Sequence, residues 1–347
     1  MRLLHTADWH LGKSLKGQSM LDDQIFILNQ LFEIIDDQKP DAILICGDIY
    51  DRNIPPAAAV ELFSNTLTQF AERNLPTLII AGNHDSATRL NFGSKIFERQ
   101  GIYIAAKDPA QVVLEDKFGE IYFSLIPFKD EIESYVAFAR NSIPYNKRSI
   151  ILAHVFLAGG IKSESERKFV GGTANVDANT FNGYNYVALG HLHRPQKFYS
   201  GSPLKYSFDE VDHKKSVTIV DIDGLGNVTT TKIPFTPSKD LVVIEGTFNE
   251  LVNRPPIQDY AQIILTDDAY IYETEDLRVA FPNFLEIKRK SHLKSYDDEP
   301  KNTFRKEDTI SEQFSKFFTE IISEPLTEEE MAALEKTLKE IEMEDRE

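Results

Sequence analysis

Short apolar runs alternate with amphipathic stretches over residues 1–235. "RLLHT" (2–6), "AILIC" (42–46), "TLIIA" (77–81), "SIILA" (149–153) and "YVALG" (186–190) are each strand-length and bounded by polar or turn residues. Between them apolar positions recur near a 3.6 period, as from Leu21 to Ile35 and from Ala57 to Phe70, which predicts helices. The alternation predicts an α/β fold with covered sheet faces, because runs that are apolar at nearly every position need cover on two sides. From about 198 to 235 strands alone are predicted: "KFYSGS", "SVTIVDI" and "NVTTTKIPF", the last two joined by the hairpin signal "DGLGN". "PFTPSKD" (234–240) reads as a linker, and 241–290 then run strand, helix, strand, helix, strand. From Thr309 the pattern is helical, with Ile310, Phe314, Phe317, Phe318, Ile321 and Ile322 on one face. After Pro325, Thr327 and Glu330 form a capping box, and Met331, Leu334, Leu338 and Ile341 mark a second amphipathic helix.

Composition adds limits. At 347 residues and 41% apolar, the chain can bury a sizeable core. No run approaches the ~20 apolar residues of a membrane span, and the N-terminus lacks a signal-peptide apolar region. The one cysteine, Cys46, falls in "DAILIC" and reads as a buried core residue, so a cytoplasmic protein without intramolecular disulfides is expected. A net charge of −17 weighs against nucleic-acid binding, but the last segment, 297–347, holds 17 acidic and 7 basic residues, a net of −10. Much of the acidity therefore sits in a tail that need not touch a substrate. The chain contains no GxxxxGK[ST], and "GGIKS" (159–163) lacks the spacing, so no ATP site is expected and any ATP dependence falls to a partner.

The chemistry lies at the ends of the apolar runs. Asp8 and His10 follow the first, Asp48 the second, Asn83 and His84 the third, His154 the fourth, and His191 and His193 the fifth. Ligand sites of open α/β sheets lie at the carboxyl ends of strands, so parallel strands would bring these residues to one rim. One histidine at a strand end is ordinary; most of the chain's eight histidines in such places is not. With no thiolate, mixed carboxylate, imidazole and amide ligands suit manganese, iron, zinc or magnesium. Seven ligands exceed one ion's needs, and two ions ~3.5–4 Å apart sharing a carboxylate are the expected solution.

"DWH" (8–10), "GDIYD" (47–51), "GNHD" (82–85), "AH" (153–154) and "GHLH" (190–193) resemble the five motifs of calcineurin-like metallophosphoesterases. "LLHTADWHLGK", "AGNHDSATRLNFG", "ALGHLHRPQ" and "YSGSPLKYSFDE" resemble, more narrowly, the SbcD family of nuclease subunits in bacterial SbcCD complexes. The resemblance implies a metallophosphoesterase β-sandwich with flanking helices over 1–235, a small α+β DNA-capping domain over 236–295, and an acidic helical segment over 296–347 that binds the ATPase partner. It implies two Mn2+ ions, or Mg2+ or another divalent metal: Asp8, His10 and His193 on the first, Asn83, His154 and His191 on the second, Asp48 bridging. His84 resembles the catalytic histidine that serves the leaving oxygen, and Asp51 the aspartate that orients it.

The implied activity is a manganese-dependent double-strand exonuclease and single-strand or hairpin endonuclease in DNA repair, recombination and replication. It works with an SbcC-type ATPase and as a homodimer, for which Val60, Phe63, Leu67 and Phe70 offer an apolar face. A small-molecule or nucleotide phosphodiesterase of the same superfamily would share the five motifs and is the alternative. Arg52 and Arg89, with Lys288, Arg289 and Lys290 of "KRKSHLK" (288–294), are candidates for phosphate contacts on DNA.

Overall fold

The computed structural model describes residues 1–167, 176–267, 274–290, 309–322 and 326–344. Two sheets dominate. The first contains β1 (Arg2–Thr6), β2 (Ala42–Cys46), β3 (Thr77–Ile80) and β4 (Ile102–Ala105). The second contains β5 (Ala110–Asp116), β6 (Gly119–Ile126), β7 (Arg148–His154) and β8 (Tyr186–Gly190). β9 (Ser216–Ile222) and β10 (Val228–Pro234) return to the first sheet, whose order is β10-β9-β1-β2-β3-β4; that of the second is β8-β7-β6-β5. Strands β1 to β4 pair in parallel, as do β6 to β8. In register, Thr6 stands beside Ile45, Cys46 beside Ile80, and His154 beside Gly190. The carboxyl ends of the strands that carry candidate ligands therefore finish level within each sheet.

Side-chain alternation assigns each strand to two cores at once. Leu3, Leu44, Cys46, Leu78 and Ile80 pack against Phe123, Leu125, Ile150 and Leu152 between the sheets. Their neighbours Leu4, Ile43, Ile45 and Ile79 face the other way, onto helices α1 (Leu21–Gln38) and α2 (Ala57–Glu72). The outer face of the second sheet, with Ile151, Ala153, Val187 and Leu189, is covered by Ile132, Val136 and Phe181. Cys46 is a buried free thiol, as its surroundings in the sequence suggest.

Two expectations need correction. In "KFYSGS", Phe198 has φ 72 and Tyr199 makes only isolated bridges, so no strand forms there: a left-handed residue ends extension after one step. In α2, Phe63, Leu67 and Phe70 are buried against the chain's own first sheet, and of the four expected interface residues only Val60, 45% exposed, faces outward. A stripe at helical spacing covers whatever the helix lies on, and here that is the sheet.

Past the linker, β11 (Leu241–Gly246), β12 (Tyr260–Leu265) and β13 (Phe284–Arg289) form a three-stranded sheet in the order β11-β12-β13, with α3 (Phe248–Val252) and α4 (Thr274–Ala280). Tyr260 donates to buried Asp23 of α1 at 2.8 Å, which ties this sheet to the helical layer of the sandwich. Compactness joins 1–264 and 269–288 as one unit and sets 265–268 with 289–347 as another. The second unit carries α5 (Ile310–Ile322) and α6 (Glu328–Glu344), which meet where Ser311 Oγ lies 3.9 Å from Met331 Sδ. Thr309 with Glu312, and Thr327 with Glu330, close capping boxes at their starts. The side chains of Phe317, Phe318, Ile321, Ile322 and Ile341, and residues 291–294 of the basic run, lie outside the described residues. Among the described residues no helix is long and apolar enough to cross a membrane.

Candidate metal centre

The rim where the two sheets meet is built from close backbone approaches. A Cβ on Gly190 would stand 1.8 Å from the Cys46 carbonyl oxygen, and one on Gly82 would stand 2.1 Å from Asp48 Oδ1. Only glycine permits these contacts, so the loops after β2, β3 and β8 converge. Asp8 (φ 56), His10 (φ 47), Asp48 (φ 50) and His191 (φ 106) all have positive φ. Such conformations cost of order 1–3 kcal/mol each and persist where the surroundings over-determine them.

The side chains form two groups that meet at Asp48. On one side, His10 Nε2 lies 3.1 Å from His193 Nε2 and 3.6 Å from Asp48 Oδ2. On the other, His154 Nε2 lies 2.9 Å from Asn83 Oδ1 and 3.4 Å from the same Asp48 oxygen. His191 Nδ1 lies 3.1 Å from Asn83 Oδ1. Asp8 accepts the His191 N–H through Oδ1 at 2.9 Å, while its Oδ2 is buried with no hydrogen-bond partner. His154 Nδ1 donates to the Cys46 carbonyl at 2.9 Å, which turns its Nε2 toward the cluster.

Charge in this pocket is poorly balanced by protein alone. Burial pushes the Asp8 carboxyl up to about 7 and His191 down to about 3, and holds His10 well below its usual range. Burial also opposes charge on Asp48, but His154, His84 and His10 hold it well below the carboxylate range. His154 is driven down by burial, yet Asp48 and Asp8 outweigh that and hold it at about 9. Two buried carboxylates, converging imidazole nitrogens and an orphaned Asp8 oxygen fit a divalent cation, which would engage these atoms together. Asp8, Asp48 and His154, and again His10, Asp48 and His84, offer donor atoms within 4.8 Å of one another, so Asp48 belongs to both sets.

His84 stands at the edge of the cluster. Its backbone N–H donates to Asp48 Oδ1 at 2.9 Å, and its Nε2 lies 4.0 Å from Asp48 Oδ2. The expected side-chain pair with Asp51 is not formed. His84 Nδ1 instead meets the Asp51 main-chain carbonyl at 2.8 Å, and the Asp51 carboxylate accepts from Lys13 at 2.8 Å. The turn after β2 presents the peptide oxygen to the ring and sends the carboxylate toward Lys13. A carbonyl only accepts, so Nδ1 carries the hydrogen and Nε2 is the atom presented to the pocket.

A family model described as calcineurin-like phosphoesterase matches residues 1–195. The SbcD subunit of nuclease SbcCD from Staphylococcus epidermidis is 35% identical over 318 residues, spanning 83% of this chain and 85% of that protein. Its counterpart in Staphylococcus saprophyticus is 37% identical over 280 residues, spanning 73% of this chain and 74% of that protein. The counterpart in Bacillus subtilis is 32% identical over 383 residues, spanning 96% of each. The chain belongs to the SbcD family. An archaeal phosphodiesterase structure aligns at TM-score 0.35 and 12% identity over 67% of this chain and all of that one.

This SbcD-family chain is a metallophosphoesterase with a divalent-metal site at the sandwich rim. Around that site several residues escaped sequence reasoning. Asp85 accepts the backbone N–H groups of Ile49, Tyr50 and Gly82 at 3.1, 2.9 and 2.9 Å, tying two ligand loops together. Gln24 of α1 donates to the His10 carbonyl at 2.7 Å and accepts the Gly12 N–H at 2.9 Å. Glu166 accepts the His193 N–H. Glu210 lies 3.1 Å from His193 Nδ1 within "YSGSPLKYSFDE", a stretch that no pattern of charge or period singles out. Of the proposed DNA contacts, Arg52 is exposed on the loop beyond Asp51, and Arg89 is exposed but donates to the Asn53 carbonyl at 3.0 Å. Lys288, Arg289 and Lys290 are exposed at the end of β13, where Lys288 lies 3.6 Å from Glu286.

Proposed function

We propose that this chain is the manganese-dependent DNA nuclease subunit of an SbcCD-type complex, with two Mn2+ ions at the rim and a cytoplasmic setting. The observation that carries the reading is the position of Asp48 Oδ2 between the two sides, 3.6 Å from His10 Nε2 and 3.4 Å from His154 Nε2. Asp8, His10, Asp48 and His193 would hold one ion, and Asp48, Asn83, His154 and His191 the other. When bound, such ions neutralise charge at phosphorus and activate water at neutral pH.

The protein's own groups do the rest. His84, anchored through Nδ1 to the Asp51 carbonyl, presents Nε2 toward the pocket, where its protonated form can give a proton to the departing oxygen. Lys13, 2.8 Å from Asp51, holds that turn and adds positive charge beside the position for a phosphate. Arg52 and Arg89 at the mouth, and Lys288, Arg289 and Lys290 on the small sheet, are suited to backbone phosphates and carry no sequence readout.

The domain roles follow the same reading: 1–235 for cleavage, 236–295 for capping DNA, and 296–347 for an SbcC-type ATPase, through α5 and α6. Homodimerisation draws support from Val60, Phe92 and Ile96, 45%, 83% and 68% exposed, beside an apolar groove of about 550 Å³ between α2 and residues 89–104. The deciding experiment supplies manganese with either duplex DNA bearing free ends or bis(p-nitrophenyl) phosphate. The nuclease reading expects DNA cleavage at far higher kcat/KM. Turnover of the small diester alone would favour the phosphodiesterase alternative.

A further inference from the structure

His193 has a support of its own. Its Nδ1 lies 3.1 Å from Glu210 Oε1 and 2.9 Å from Ser165 Oγ, and Ser165 donates its hydroxyl to that same carboxylate oxygen at 2.6 Å. With that hydroxyl hydrogen committed, both groups facing Nδ1 accept, so Nδ1 carries the hydrogen and Nε2 the lone pair. That Nε2 points at His10 Nε2, 3.1 Å away. Glu210 is fully buried, and its other oxygen accepts from Lys215 Nζ at 2.6 Å. Lys215 spends its remaining donors on Ser202 Oγ at 2.8 Å and the His193 carbonyl at 2.9 Å. The ammonium thus grips both the carboxylate and the backbone of the histidine.

A buried ion pair is weak evidence for stability, because desolvating two charges consumes most of what their attraction returns. What this one secures is geometry. We propose that Glu210, anchored by Lys215, is the positioning residue of the metal site, fixing His193 in the tautomer whose Nε2 receives the cation. The proposal rests on the metal-centre reading above. Glu210 lies outside residues 1–195, the part that the phosphoesterase model matches. Removing the partner that orients a ligating histidine typically costs 10–100-fold in metal affinity.

Glu210→Gln tests this sharply. Lys215 will claim the amide oxygen, which turns the amide NH2 toward His193 Nδ1 and forces that nitrogen to accept. The double variant E210L/K215M removes both charges at similar volume and leaves no unpaired buried ion. Manganese binding to the full chain is titrated by electron paramagnetic resonance, and imidazole tautomers are read in the metal-free protein from 15N histidine spectra. The expected result is a 10–100-fold loss of affinity for one of two ions in both variants, with His193 moving to the Nε2–H form in Glu210→Gln. Folded variants with wild-type affinity would overturn the proposal, as would a lowered melting temperature with affinity unchanged, which would make the network structural only. Should neither variant fold, the wild-type spectrum still decides: an Nε2–H His193 refutes the proposal. A wild-type protein that binds no manganese would instead overturn the metal-centre reading itself.

Discussion

Asp85→Ala should loosen the metal site without touching a proposed ligand. The Asp85 carboxylate accepts three backbone N–H groups, from Ile49, Tyr50 and Gly82, and is itself 8% exposed. Alanine leaves all three donors without that acceptor. Each buried orphan costs about 1–3 kcal/mol, but the space vacated by the carboxylate can admit a water that satisfies one or two of them. A net loss of about 3–5 kcal/mol is expected, a large part of a typical 5–15 kcal/mol. At ~2–4 °C per kcal/mol, the melting temperature should fall by roughly 6–20 °C. Asp85→Asn keeps one oxygen for Ile49 and Gly82, which share Oδ2, and turns an amide toward Tyr50, so about a third of that loss is expected. Because the tied loops carry Asp48 and Asn83, manganese affinity should fall alongside stability. Thermal melts with and without manganese measure both effects. An alanine variant within 1 kcal/mol of wild type would refute the claim that Asp85 holds the loops together.

His84→Ala should retain metal binding and fold while cleavage drops 10²–10⁴-fold, the usual range for a proton donor, as single-turnover kinetics would measure. Asp51→Asn should cost less than about tenfold in the same assay, because the main-chain carbonyl and not the carboxylate orients His84. Arg148 holds the Asp116 carboxyl below its usual range, burial partly opposing and the N-terminal ammonium assisting. A depressed folded-state value means stabilisation present above the unfolded-state value of about 3.9 and lost as pH falls below it toward the folded-state value. Urea melts of Asp116→Asn should therefore show a flatter stability curve than wild type below about pH 4.

The five strands that end in candidate ligands were legible because each apolar run stops abruptly at a carboxylate, amide or imidazole. Their division between two sheets was not. Leu44 faces the other sheet and Ile45 faces the helices, yet both are simply apolar in a run that is buried on both sides. β5, with the polar-laced "AQVVLED", and short β4 left too weak a pattern to mark. The same limit explains α2, whose stripe of Phe63, Leu67 and Phe70 cannot reveal whether it covers a partner or its own sheet. At Asp51 the contact to His84 runs through the main-chain oxygen and not the expected carboxylate, and a peptide oxygen has no signature in sequence. Glu210 and Lys215 are close in the chain to each other but not to His193, and a contact of that kind depends on the turn between β8 and β9.

The central claim is that Asp48 is shared by two cations. Anomalous scattering from manganese-soaked crystals, recorded on both sides of the manganese absorption edge, tests it most directly. A shared Asp48 predicts two peaks, one among Asp8, His10 and His193, the other among Asn83, His154 and His191, with an Asp48 oxygen coordinated to both. A single peak at saturating manganese, or two peaks with Asp48 bound to neither or only one, would contradict it.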